Sequence, residues 1–197
     1  MITSIATPGT SLHNGSLLLT PIDADARPSI AELEQQLRRA GLVDAPLSAG
    51  SHRYGSGARF FDLVAFTGCA VQLNTSPDAS DGLQVRFEGP FDTPQLRSGR
   101  NSRPPRCPHC QRPLSEWRDD YSRVAAADAA VGERLRCRSC GASSAVWTWQ
   151  WGRHAGAGSI FVNIEPVFPG EGQPLPPLFE ALDLLEVGPW RHFYVQR

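Results

Sequence analysis

The cysteines constrain this chain more than any other feature. Four of the five fall into two C-x-x-C pairs, Cys107-Pro108-His109-Cys110 and Cys137-Arg138-Ser139-Cys140, with 26 residues between the pairs. A C-x-x-C turn brings two thiolates to one ion, and two such turns complete a closed tetrahedral shell of four sulfurs. Gly141, directly after the last cysteine, permits a backbone conformation that aims amides at thiolate sulfur. The pattern predicts one structural Zn2+ held by Cys107, Cys110, Cys137 and Cys140. A catalytic zinc needs an open position for water, which four thiolates do not leave. A redox dithiol belongs in a thioredoxin-like strand–helix context, which neither pair has. His109 lies inside the first pair and reads as a turn residue rather than a ligand.

The paired cysteines resemble a zinc ribbon over about residues 105–145. One position departs from that pattern: Gln111 stands where a glycine is common. The resemblance implies a small module of the kind that often binds nucleic acid or protein. Between the pairs, Trp117, Tyr121 and the alanine-rich run from Val124 to Val131 predict a short helix or a helical hairpin.

The module and its approach are basic. Ten arginines, among them Arg97, Arg100, Arg103, Arg106, Arg112 and Arg138, lie between residues 97 and 140, against five carboxylates. Such a surface can hold phosphate, and Trp117 and Tyr121 can stack on bases. The plainer reading is that these arginines neutralise the thiolates and solvate a module with little core.

The chain as a whole has 197 residues and a net charge of −1, which favours neither nucleic acid nor an anionic membrane. A hydrophobic share of 41% and a charged share of 20% suit a globular domain with a real core. All 19 basic residues are arginine, as a GC-rich genome would produce. No apolar run reaches the roughly 18–20 residues that span a bilayer. The amino terminus lacks the charged and apolar regions of a signal peptide. With cysteines placed as metal ligands rather than disulfides, the expected compartment is a reducing cytoplasm.

Around the module, residues 1–96 and 145–197 read as one α+β domain interrupted by an insert over 97–144. Ser29-x-x-Glu32 is a capping box, followed by Ile30, Leu33 and Leu37 at helical spacing and by Gly41. Pro176 and Pro177 open a second helix. Strands are expected at Leu17–Leu19, Arg59–Phe66, Gly82–Glu88, Val146–Trp151, Ile160–Val167 and Trp190–Val195. Residues 44–58 read as a loop, and the glycine-rich stretch 152–158 as a hairpin turn. The expected fold is a mainly antiparallel sheet with two helices packed on it. Trp147, Trp149 and Trp151 then share one strand face, against those helices.

No triad, paired-carboxylate motif or dinucleotide fingerprint appears, which points away from an enzyme. The remaining enzyme candidates are Cys69, as a nucleophile, and His154, within a dispersed site. Three functions follow: an interaction protein that docks on a protein partner, a nucleic-acid-binding protein using the arginine-rich surface, and an enzyme near Cys69 and His154.

Overall fold

A computed structural model describes residues 15–67, 82–126 and 134–197. The chain enters at β1 (Gly15–Pro21), whose Leu17, Leu18 and Leu19 are all buried. Helix α1 (Ile30–Ala40) starts at the expected capping box: the Glu32 amide donates to Ser29 Oγ, and the Glu32 carboxylate accepts from the Ser29 amide. It stops at Gly41, whose φ of 83° places it in the left-handed region. Strands β2 (Val43–Pro46) and β3 (Arg53–Ser56) form an antiparallel hairpin where the sequence reads as loop. Only the edge strand β2 is largely exposed; β3 lies between β2 and β5 with Tyr54 buried, but four residues, two of them Gly and Ser, are too short a run to show apolar alternation.

The expected strand Arg59–Phe66 divides into a one-turn helix α2 (Phe60–Leu63) and a short strand β4 (Val64–Phe66). Asp62 is exposed on α2 beside Arg59. Then follow β5 (Gln84–Glu88), β6 (Gln95–Ser98), α3 (Trp117–Ala126), β7 (Arg134–Arg136), β8 (Ser143–Ala145), β9 (Ala155–Gly158), β10 (Phe161–Glu165) and β11 (Gly172–Pro174). Helix α4 (Pro176–Asp183), with prolines in its first turn, leads to β12 (Trp190–Gln196).

The fold is α+β. Six strands form one antiparallel sheet in the order β12-β1-β10-β5-β3-β2. Alternation along the strands divides its residues between two faces. One face carries Leu17, Leu19, Val85, Phe87, Val162 and Ile164, which close a core against Leu33 and Leu37 of α1 and Leu178 and Leu182 of α4. The other face carries Leu18, Phe161, Phe193 and Val195, a smaller apolar cluster. Beside it lies a polar network. Glu88 takes hydrogen bonds from Arg97 and Asn163 and pairs with Arg86. Burial raises the Glu88 carboxyl, but Asn163, Arg97 and Arg86 outweigh it and hold the group below its ordinary range.

The second face is also where the β6–β9 pair approaches β1 and β12. Residues Ala155–Gly158 are buried strand, not turn. Their glycines are there for closeness: a Cβ on Gly156 would come within 2.5 Å of the Phe193 ring, and one on Gly158 would collide with Thr20 Oγ1. Among the described residues, no helix is long and apolar enough to cross a membrane.

Candidate metal centre

A third apolar cluster surrounds the cysteines. It contains Leu96, Leu114, Trp117, Leu135, Val146, Trp149, Trp151, Ala155 and Ala157 together with Cys107 and Cys137. The cluster therefore draws on both flanks of residues 97–144. The tryptophans belong here rather than against α1 and α4. Val146–Thr148 is a 3-10 turn, so the expected strand and its single indole face do not form. Trp149 and Trp151 are buried, their indole N–H groups donating to the Ser144 and Val146 carbonyls, while Trp147 is half-buried. Trp117, at the start of α3, meets Trp151 edge to face at 5.0 Å.

The two C-x-x-C turns have the same backbone. In the first, the Cys107 amide donates to the Arg112 carbonyl at 3.0 Å and the Gln111 amide to the Cys107 carbonyl at 3.0 Å. In the second, the Cys137 amide donates to the Ala142 carbonyl at 2.8 Å and the Gly141 amide to the Cys137 carbonyl at 2.9 Å. Gln111 and Gly141 are equivalent, and both are left-handed, with φ of 61° and 76°.

These turns bring all four sulfurs within 4.8 Å of one another. Cys107 Sγ lies 3.8 Å from Cys140 Sγ, and Cys110 Sγ 3.6 Å from Cys137 Sγ. Four Zn–S bonds of about 2.3 Å set tetrahedral edges of about 3.8 Å. The donor set and its separations fit one metal ion. Amides complete the surroundings. His109 N–H donates to Cys107 Sγ at 3.4 Å. The amides of Cys140 and Ser139, with the neighbouring thiols, pull the Cys137 thiol down to about 6 against the effect of burial. The Ala142 amide acts the same way on Cys140, but burial and hydrogen bonds shared with Cys110, Cys137 and Cys107 push that thiol up to about 11. A cation displaces these shared protons. His109 turns away from the sulfurs, its Nε2 lying 2.9 Å from Ser144 Oγ.

The candidate contact residues separate into two groups. Arg97 is committed to Glu88 at 3.0 Å and stacks over the Phe91 and Phe161 rings, so it ties β6 to the main sheet. Arg138 binds Glu116 and Asp120, tying the second turn to α3. Trp117 is 3% exposed and has no face open to a base. These engagements count against a role for the three in holding a nucleic acid or another partner. Arg100, Arg103, Arg106 and Arg112 are exposed.

Cys69 lies outside the described residues. His154 sits in a groove of about 580 Å³ whose lining includes Arg103, Arg106, Gln150 and Arg153. Arg153 could not be linked to this surface from sequence, because it lies outside the arginine-rich segment. Its cue is adjacency to His154 in the turn before β9. Compared with known proteins, the chain matches no family model, no curated protein and no solved structure.

Proposed function

We propose that the protein is a non-enzymatic interaction protein in which one structural Zn2+ shapes a ribbon-like insert, residues 97–144, on an α+β body. The separation of the sulfurs carries this reading: two of the distances, 3.8 and 3.6 Å, match the edge of a tetrahedral Zn–S shell, all four sulfurs lie within 4.8 Å, and four thiolates leave no position for water. The soft thiolate set also suits iron, so the identity of the ion is the first quantity to measure. Exposed arginines on and beside the first cysteine turn support a partner that carries negative charge. Among the described residues, no carboxylate or thiol lies in the lining of the groove at His154, which supports binding rather than covalent chemistry there.

Elemental analysis of the purified protein is expected to give one zinc per chain, and Cys137→Ser to remove it. A metal-free preparation that retains native tryptophan burial would overturn the structural role. A stoichiometric iron content with its visible absorption would overturn the assignment of zinc.

A further inference from the structure

The groove at His154 lies where the first cysteine turn meets the β9 approach. Backbone bonds hold its floor: the Arg106 amide donates to the Gln150 carbonyl at 3.0 Å, and the Gln150 amide to the Arg106 carbonyl at 3.1 Å. Three arginines line it, Arg103, Arg106 and Arg153. Among the described residues, neither Arg103 nor Arg153 has a carboxylate partner, and the Arg106 guanidinium donates to the Gln111 carbonyl alone. Among the described residues, no acidic side chain is in the lining.

His154 is oriented with the same bias. Asn101 accepts the Gln196 amide at its Oδ1 and donates from Nδ2 to the Tyr194 carbonyl at 3.0 Å. Those two backbone bonds fix which end of the amide is nitrogen. Its Nδ2 therefore faces His154 Nδ1, at 3.3 Å, as a donor. The imidazole Nδ1 accepts, so the ring proton of the neutral form is on Nε2. Three arginines and His154 thus line a single concavity of about 580 Å³.

We propose that this groove binds the phosphodiester backbone of a nucleic-acid strand, in a deepening of the interaction-protein reading on which it rests. Phosphate oxygens accept and do not donate, matching a lining whose charged groups are all donors. An acidic peptide fits less well, since it brings one backbone N–H per residue and Gln150 is the one side-chain carbonyl in the lining to receive them. Aromatic stacking is not part of the site, because Trp151 is 3% exposed.

Fluorescence titration of the zinc-loaded full chain with a labelled 15-nucleotide poly-dT at 50 mM salt tests this. Three phosphate contacts predict a slope of log K against log salt near −2, from about −0.7 per contact on a single strand. The exposed pair Arg103→Ala/Arg153→Ala is expected to cut affinity at least tenfold and bring the slope to about −0.7. Arg39→Ala, on α1, is expected to leave both unchanged, and pyrophosphate to compete. Absence of binding at 50 mM salt, or binding that the paired substitution does not weaken, would overturn the proposal. So would tighter binding of poly-glutamate, which makes the groove a peptide site. Metal content separates the two readings: a zinc-loaded protein that ignores the strand leaves the structural zinc standing.

Discussion

Gln111 and Gly141 occupy one position in two copies of the same turn. The left-handed conformation costs an L-residue about 1–2 kcal/mol, because its Cβ crowds the carbonyl oxygen. Gly141 avoids that cost, and open space surrounds the place where its Cβ would be. Gln111 does not avoid it. Gln111→Gly is therefore expected to stabilise the metal-loaded protein by about 0.5–1 kcal/mol, the gain being reduced by the greater freedom of glycine in the unfolded chain. Gly141→Ala is expected to cost about 1 kcal/mol through conformation alone. Denaturant unfolding of the two variants checks both signs, and a neutral Gly141→Ala would refute the account. The gathering of the four cysteines was legible because a two-residue spacer leaves few alternatives. The turn glycine was legible, and so was its absence at Gln111. The roles of the arginines were not. Composition counts a charge without showing whether Glu88, Asp120 or water faces it.

Among the elements, α1 was readable at both ends because its capping box and Gly41 are local chemistry. The β2–β3 hairpin was not, since an exposed edge strand and a four-residue partner with one apolar side chain, Tyr54, show no periodicity. The Arg59–Phe66 stretch reads as one strand because a short apolar run does not distinguish a helical turn from a strand. The glycine-rich 152–158 segment misled for a different reason. Glycine there serves close approach between layers, which only tertiary structure reveals. Gly156→Ala tests that reason directly. The new methyl would meet three atoms of the Phe193 ring at 2.5–2.9 Å, so either the ring shifts or β9 lifts from the sheet. The expected cost is about 1–3 kcal/mol, as for other overpacked interiors. Phe193→Leu should relieve part of it, so the double variant should be less destabilised than the sum of the singles. Strict additivity in the unfolding free energies would show that this contact does not set the spacing.

At the level of the whole molecule, the three apolar clusters among the described residues make distinct demands on the metal. The large core between the sheet and α1 and α4 contains no cysteine ligand, whereas the cluster around Trp117, Trp149 and Trp151 contains Cys107 and Cys137. The sheet order β12-β1-β10-β5-β3-β2 joins strands distant in sequence, so local patterns predicted the α+β class and its antiparallel character but not this arrangement. The separation of cores predicts how the protein responds to chelation. Zinc binding contributes folding free energy directly in small modules, on the order of 10 kcal/mol or more in zinc-finger peptides. Removing the ion should release Trp117, Trp149 and Trp151 to water while Trp190 stays buried in the large core. A strong chelator is expected to shift the tryptophan emission to the red. Amide protons in β1, β10 and β12 should remain protected from exchange, and those of β7, β8 and the two cysteine turns should lose protection. Loss of protection throughout the sheet would mean that the glycine-packed β6–β9 approach couples the clusters into one cooperative unit. The Gly156→Ala variant would then lower the stability of the large core as well as that of the metal module.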